Sequence, residues 1–313
     1  MKNLFHPLLA LALAWSMMVA DGSAQEAPAT DEWLTRPVDD QTFQTYLDFF
    51  AYDRRVPFDV RVLDVKEEQG IRKEHLSFQS TAGVRVFACL YQPVASVSQR
   101  GSAVILLHGG AASGKDSRKI EMLGALQARG GWKVLAIDMQ YFGERSTDLL
   151  KTYTEQEKHE RLYNRPATYL AWVTQTVKDV SRSFDFLVEQ RNADPKRIGL
   201  MGFSRGAQAG AIAGGAERRL AAVALLHGGH FDRIERGHLP AACPANYIGR
   251  ISPRPLLMIN GNHDTDFLKD TSVLPLYRLA KPPKLILWRE TGHGVLTEEV
   301  LSAMLQWLKE NLK

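Results

Sequence analysis

The chain of 313 residues has only two cysteines and a formal net charge of only +4. Cys89 and Cys243 allow one disulfide at most, and their positions do not show that they meet. A buried free thiol is the favoured interpretation of Cys89, because it lies in a strand-like run. The basic residues are scattered and lack interleaved aromatic residues, so the composition gives no support to nucleic-acid binding.

Long apolar runs are also lacking after the N-terminus, where no segment is apolar for the ~18 residues that a membrane span requires. The N-terminus has a positive residue, Lys2, then an apolar run over 7–20, then small residues ending at Ala24. This pattern predicts a secretory signal peptide over 1–24, with a non-cleaved anchor as the alternative. We therefore expect an exported, soluble protein, periplasmic or secreted, with no membrane contact after cleavage.

The hydrophobic pattern predicts strands that alternate with helices. Short continuous apolar runs indicate strands buried on both faces; they lie at 103–107, 134–137, 198–201, 221–226, 256–259 and 285–288. Helical spacing is present over 173–187 and 301–308, and the strictly alternating residues 84–90 are typical of an antiparallel strand. The prediction is an α/β fold: a mostly parallel, doubly wound sheet with antiparallel N-terminal strands.

The same pattern divides the chain into a signal peptide (1–24), an N-terminal extension (25–58) with a short helix over 41–52, and one domain (59–313). There is no internal repeat and no low-complexity linker. Segments 143–165 and 231–252 are polar and interrupt the alternation. We predict that they form a small cap over the carboxyl ends of the strands, where open α/β sheets bind ligands.

The most informative motif is Gly-Phe-Ser-Arg-Gly over 202–206. It follows the apolar run 198–201 and precedes a helical stretch of small residues over 207–216. Strand, sharp turn and helix form the context in which Ser204 becomes an exposed nucleophile, because flanking glycines allow the helix and strand to approach closely. A glycine- and serine-rich turn without chemistry is the alternative interpretation.

A serine nucleophile needs a base and a group that orients the base, and on this type of turn they follow in the order acid, then histidine. Asp264 follows the strand at 256–259, and His293 follows the strand at 285–288. We predict that His293 is the general base and that Asp264 fixes its tautomer. Asp266 and Asp232 are the alternative acids. For the other histidines of these loops, His227, His230 and His263, polar packing is the favoured role.

An oxyanion hole requires backbone N–H groups near Ser204. The residue after the nucleophile, Arg205, supplies one, and we predict that Gly110, in the His-Gly-Gly element over 108–110, supplies the other; His108 then braces the loop. The Arg205 side chain is a candidate to bind a substrate carboxylate or support the oxyanion, with an ion pair as the equal alternative.

Two other patterns deserve comparison. Residues 109–115 match the phosphate-binding pattern G-x-x-x-x-G-K, but the next residue is Asp116 where such a loop needs serine or threonine for Mg²⁺. The stretch His227-x-x-His230-x-Asp232 has metal-ligand residue types at no standard spacing. We therefore disfavour an NTPase and predict neither a metal nor a cofactor.

Together the motifs resemble the α/β-hydrolase superfamily over about 80–313, nearest the dienelactone-hydrolase-like and acetyl-xylan-esterase-like branches. Dienelactone hydrolases proper use a cysteine nucleophile, whereas this chain has Ser204; the pair Ser204-Arg205 resembles glucuronoyl esterases. The resemblance implies a serine esterase acting on a small-molecule or carbohydrate ester. Tyr141 and Arg145, just past a strand end, are further substrate-binding candidates, although a structural salt bridge is the favoured role for Arg145.

Two other functions stay open at this point. A peptidase of the prolyl-oligopeptidase type would use the same order of serine, acid and histidine, but such enzymes usually carry a large N-terminal domain for which this chain has no room. A non-catalytic binding protein on this fold would not depend on Ser204. The oligomeric state is not predicted.

Overall fold

The computed structural model describes residues 31–147 and 151–312. A nine-stranded sheet organises this part of the chain. The strands are β1 (Arg61–Glu68), β2 (Ile71–Thr81), β3 (Val84–Pro93), β4 (Gly101–Leu107), β5 (Lys133–Ile137), β6 (Ala193–Phe203), β7 (Ala222–Leu226), β8 (Leu256–Gly261) and β9 (Lys284–Arg289). Their order across the sheet is β1-β2-β3-β5-β4-β6-β7-β8-β9.

The pairing of the strands confirms the predicted fold class. β1, β2 and β3 form an antiparallel meander, and β3 pairs with β5 antiparallel. From β5 to β9 every neighbouring pair is parallel. All six parallel strands therefore direct their carboxyl ends to one edge of the sheet, and the residues that follow them meet there.

Helices cover both faces of the sheet. The described α-helices are α1 (Asp40–Leu47), α2 (Arg118–Arg129), α3 (Glu155–Lys158), α4 (Pro166–Arg191), α5 (Arg205–Ala216), α6 (Ala245–Ile248), α7 (Leu274–Leu279) and α8 (Glu298–Asn311). The helix predicted over 41–52 is shorter than expected: α1 ends at Leu47 and a 3₁₀ turn, Asp48–Phe50, follows it. None of the described helices is long and apolar enough to cross a membrane.

The continuous apolar runs pack against helices on both sides, because successive side chains of a strand point to opposite faces. Ile105 and Leu107 belong to the same cluster as Trp172 of α4. Val104 and Leu106 belong to the cluster on the other face, with Ile120, Leu123, Met304 and Leu308 from α2 and α8. The burial of both faces explains why these central strands lack the alternation that one wet face imposes.

One strand differs from the prediction. The run at 285–288 was expected to be buried on both faces, but β9 is an edge strand that pairs only with β8. Its residues are half-buried, and Leu285 is 43% exposed. An apolar run alone does not distinguish an edge strand from a central one, and within the described part of the chain the outer side of β9 pairs with no strand.

Both cysteines are free and buried, so the disulfide left open by the sequence is absent from the described structure. The predicted signal peptide lies outside the described residues. The extension packs on the domain: Tyr52 Oη donates to Asp185 Oδ2 at 2.8 Å, and Arg54 pairs with the same carboxylate at 3.1 Å. The domain boundaries at 24 and 58 stay predictions.

Candidate active site

Ser204 lies between β6 and α5 in a sharp turn. Its φ is 54° and its ψ is −117°, in the left-handed half of the conformational map that residues with a side chain rarely occupy. A Cβ on Gly202 would clash with the Gly206 carbonyl oxygen, and a Cβ on Gly206 would clash with the carbonyl of Leu107. The two glycines therefore let the turn close and hold the Ser204 side chain at the carboxyl edge of the sheet.

The structure brings Ser204, His293 and Asp264 into one line. Ser204 Oγ lies 2.8 Å from His293 Nε2, and His293 Nδ1 lies 2.9 Å from Asp264 Oδ2. The imidazole is 20% exposed, whereas the Asp264 side chain is fully buried. With a proton on Nδ1, His293 donates to Asp264 and its Nε2 accepts from the serine hydroxyl, which is the arrangement that activates a serine.

The Asp264 carboxylate is held in its charged form. Burial opposes its ionisation, but polar contacts with His227 and His293 and the N–H of Phe267 keep its pKa below the usual range. Oδ1 accepts from the backbone N–H groups of Asp266 and Phe267, each at 2.9 Å. The loop after β8 thus fixes the carboxylate so that its second oxygen faces His293.

The two alternative acids lie elsewhere. Asp266 is 54% exposed and its Oδ2 lies 3.5 Å from His293 Nε2, on the side of the ring that faces Ser204. Asp232 contacts Arg205 and His159 instead of His293. Of the three candidates, only Asp264 lies in hydrogen-bond contact with Nδ1, the nitrogen that must keep its proton.

The loop after β4 lies beside the serine. A Cβ on Gly109 would lie 3.3 Å from Ser204 Cβ, and Gly110 lines the same cavity as Ser204 and Arg205. His108 is fully buried, accepts from the Met139 N–H at 3.0 Å, and directs Nδ1 at the Gly109 carbonyl oxygen at 2.6 Å. Burial lowers its pKa, so a neutral His108 connects two loops, which agrees with the bracing role.

The Arg205 side chain forms an ion pair in the structure. Its Nη1 lies 2.7 Å from Glu235 Oε1, and its Nη2 donates to Asp232. The guanidinium lies 3.8 Å from the centre of the Tyr163 ring, a cation–π contact. Both predicted cap segments therefore meet at Arg205, because Tyr163 comes from 143–165 and the two acids come from 231–252.

Two predicted substrate-binding residues do not line the cavity that contains Ser204. Arg145 donates to Asp179 Oδ2 at 2.5 Å, to the Asp138 carbonyl at 2.9 Å and to Gln140. Its donors serve this buried network, which is the favoured salt-bridge role. Tyr141 packs against the hydrophobic core instead.

His227 is a residue whose position the sequence did not reveal. It follows β7 with a φ of 52° and is fully buried. Its Nε2 lies 3.1 Å from the Val295 carbonyl oxygen, and its Nδ1 faces Asp264 Oδ2 at 3.9 Å. The sequence signal that could have placed His227 near Asp264 is its position directly after a parallel strand. By contrast, exposed His263 pairs with Glu290 at 3.0 Å, in agreement with polar packing.

Lys115, the lysine of the phosphate-binding pattern, forms ion pairs within the protein. The Lys115 ammonium is fully buried and lies 2.7 Å from Asp116, 3.3 Å from Asp138 and 2.6 Å from Glu144. Burial opposes its charge, but attraction to Asp138 and the other two acids raises its pKa. The lysine that would contact a phosphate is therefore occupied by three carboxylates.

The parallel sheet, the strained serine and the aligned histidine and aspartate define the class of this protein as an α/β hydrolase. Residues 86–309 match the profile of the dienelactone hydrolase family. Because this match covers most of the chain, the chain belongs to that family, and it is an ester-hydrolysing enzyme. No curated protein sequence matches it.

Solved structures show the same fold. The acetyl xylan esterase from Paenibacillus sp. R4 has a TM-score of 0.65 at 16% identity, over 91% of this chain and 100% of that one. Acetyl xylan esterase 1 from Thermoanaerobacterium sp. JW/SL YS485 has 0.64 at 18%, over 91% and 95%. The glucuronoyl esterase from Solibacter usitatus has 0.55 at 13%, over 87% and 92%.

Proposed function

We propose that this enzyme is an exported serine esterase that forms an acyl-enzyme on Ser204. The observation that carries the proposal is the line of contacts from Ser204 Oγ through His293 to the buried Asp264, at 2.8 and 2.9 Å. The line opens onto a cavity of about 420 Å³ that contains both Ser204 and His293. A nucleophile, a base and an orienting acid are therefore together where a substrate has access.

In the first half-reaction, Ser204 Oγ attacks the acyl carbon while its proton moves to His293 Nε2. Asp264 accepts from Nδ1–H and stabilises the imidazolium that forms. The N–H groups of Arg205 and Gly110 donate to the oxyanion of the tetrahedral intermediate. When that intermediate collapses, Nε2–H gives its proton to the leaving alcohol and the acyl group stays on Ser204.

In the second half-reaction, water replaces the alcohol. His293 takes a proton from the water as it attacks the acyl carbon, and returns that proton to Ser204 Oγ when the acid leaves. The negative charge that develops is the same in both halves, so one pair of backbone donors serves both. No step requires a cofactor or a metal ion.

The residues that line the cavity favour a polar substrate. Charged and imidazole side chains form much of its lining: Glu155, His159, Arg205, Asp232, Arg233 and Asp266. Such a wall favours a hydroxyl-rich alcohol over a long acyl chain, because burying an alkyl chain against charged groups would remove their hydration without compensation. We therefore propose short-acyl or uronoyl esters of sugars as the substrate class.

The test is hydrolysis of a substrate panel by the purified protein. The panel holds nitrophenyl acetate, nitrophenyl decanoate, acetylated xylan, a methyl glucuronate ester and an aminoacyl-proline amide. We expect the sugar and short-acyl esters to be cleaved. Ser204→Ala and His293→Ala should each lower kcat by about 10³-fold or more, with unchanged circular dichroism.

His263→Ala is the matched control, since His263 lies on the loop next to Asp264 but is 68% exposed; its activity should equal that of the wild type. Turnover retained in folded Ser204→Ala would refute the acyl-enzyme. Preferential cleavage of the proline amide would replace the esterase with a peptidase, and no turnover of any substrate would favour a binding role.

Export rests on the sequence of residues 1–24. The expected observation is a mature N-terminus at Gln25 in protein recovered from the periplasm or medium. Recovery of the chain with Met1 retained, in the cytoplasm or in the membrane fraction, would contradict it.

A further inference from the structure

Three side chains with different metal-binding groups meet away from Ser204. Asp31 lies at the start of the described chain, His230 lies in the loop after β7, and Cys243 lies just before α6. The His230 side chain is 2% exposed and that of Asp31 is 11% exposed, while Cys243 is fully buried. A carboxylate from the N-terminal extension thus meets an imidazole and a thiol that lie 13 residues apart in the segment after β7, at one buried place.

The distances between the three donor atoms suit one ion. His230 Nε2 lies 2.9 Å from Asp31 Oδ2, Cys243 Sγ lies 3.5 Å from the same oxygen, and Sγ and Nε2 are 4.0 Å apart. Tetrahedral zinc, with bonds of about 2.0 Å to oxygen, 2.1 Å to nitrogen and 2.3 Å to sulfur, separates such donors by roughly 3.3–3.6 Å. Each observed separation is therefore within about half an ångström of that arrangement.

We propose that Asp31, His230 and Cys243 bind a divalent transition-metal ion of the zinc type, with water or another donor at the fourth position. These residue types form a borderline-soft ligand set that suits zinc and its probe cobalt, whereas magnesium and calcium prefer oxygen ligands alone. No metal was predicted from the sequence, because the spacing of His227, His230 and Asp232 matches no standard site. In the structure His227 faces Asp264 and Asp232 contacts Arg205. Of the three, only His230 lies in the proposed site, where it contacts Asp31.

The protons balance for binding of one ion. The Cys243 thiol donates to Asp31 Oδ2, and it would release that proton to water when it binds a metal ion as thiolate. Neutral His230 would move its proton from Nε2 to Nδ1. Nδ1 has no hydrogen-bond partner among the described residues, so the proton that it would gain would have no protein acceptor there.

Such an ion would stabilise the wall of the cavity. His230 accepts, through its carbonyl oxygen, from Gln208 Nε2 at 2.7 Å, and Gln208 accepts from Arg205 Nη1 at 2.7 Å. The ion would therefore tie the N-terminal extension to the loop whose acids hold Arg205. We infer a structural role, since none of the three ligands lines the cavity of Ser204.

A second group of possible ligands, His227, Asp264 and His293, also lies within reach of one ion. The test must therefore identify the ligands as well as measure binding. Sulfur distinguishes the two, because only the proposed site contains a thiol. A thiolate bound to Co²⁺ produces a charge-transfer absorption in the near ultraviolet, whereas binding through nitrogen and oxygen alone does not.

The experiment is titration of the chelator-treated protein with Co²⁺, followed by displacement with Zn²⁺. We expect about one equivalent of Co²⁺ bound with the thiolate absorption, loss of that absorption when Zn²⁺ is added, and a higher Tm with either metal. Cys243→Ser should abolish the absorption and the rise in Tm. The matched control is Cys89→Ser, which removes the other buried cysteine and should leave both intact.

The wild-type spectrum decides the matter even if Cys243→Ser does not fold. Absence of Co²⁺ binding, or binding without the thiolate absorption, would overturn the proposal. Retention of the absorption in Cys243→Ser, or its loss in Cys89→Ser, would assign the thiolate to another site and would also overturn it.

Discussion

Replacing Arg205 with methionine tests whether water is excluded from the ion pairs that Arg205 forms with Asp232 and Glu235 beside Ser204. Methionine keeps most of the side-chain length and removes the charge. The Arg205 side chain is 7% exposed, and its partner Glu235 is fully buried. The change therefore leaves the Glu235 and Asp232 carboxylates together in the interior without their cation.

The structure sets the size of the effect. Removing one partner of a buried ion pair typically costs about 3–5 kcal/mol. Glu235 keeps three donors after the change: the Asp232 N–H at 2.6 Å, Gln208 Nε2 at 3.0 Å and His238 Nε2 at 3.0 Å. These bonds place the loss near the lower limit, about 3 kcal/mol, which corresponds to a fall in Tm of roughly 6–12 °C for a domain of this size.

The assay is urea unfolding followed by circular dichroism, with a double-mutant cycle. Arg205→Met combined with Glu235→Gln should be more stable than Arg205→Met alone, because the second change removes the unpaired charge. Arg233→Met is the matched control: Arg233 lines the same cavity but is exposed, so its change should cost less than about 0.5 kcal/mol. A loss below about 1 kcal/mol for Arg205→Met, or no coupling in the cycle, would show that water screens the cluster.

Two further predictions concern the acid and the cap. Asp264→Asn should lower kcat for nitrophenyl acetate about 10⁴-fold, because His293 would lose the partner that fixes its tautomer. Asp266 is exposed, and Asp266→Asn should change kcat less than about tenfold. Equal losses in the two variants would contradict the assignment of Asp264 as the acid. Burial opposes the charge of His159, but its hydrogen bond to Asp232 raises the pKa of the imidazole. The contact therefore stabilises the folded protein fully below the pKa of about 6.5 that histidine has in the unfolded chain. This stabilisation is lost as pH rises through the higher pKa of the folded state. His159→Gln should therefore destabilise the protein more at pH 5.5 than at pH 9 in urea unfolding, and an equal loss at both pH values would contradict this contact.

The meeting of Ser204, Asp264 and His293 could be predicted because each follows a parallel strand. Parallel strands direct their carboxyl ends to one edge, so the strand pattern alone places the three residues in one region. The glycines at 202 and 206 added the local geometry of the turn. Neither pattern depends on the detailed course of the loops, which is why the sequence was sufficient.

The partners of Arg205 could not be predicted in the same way. Tyr163, Asp232 and Glu235 lie in segments without hydrophobic periodicity, and their positions depend on tertiary contacts that leave no regular spacing in the sequence. A salt bridge was favoured for Arg145, but its partner could not be named for the same reason, since Asp179 lies within a separate helix. The Asp31–His230–Cys243 cluster joins segments about 200 residues apart, so no short motif reveals it.

The position of β9 has a consequence for how the enzyme loses activity. His293 follows this edge strand, which is held by hydrogen bonds on one side only, whereas Ser204 follows β6 in the middle of the sheet. Edge elements with little buried surface open locally at lower free energy than the core. Gentle heating or mild denaturant should therefore separate His293 from Ser204 while most of the sheet stays intact, so that inactivation precedes the loss of secondary structure.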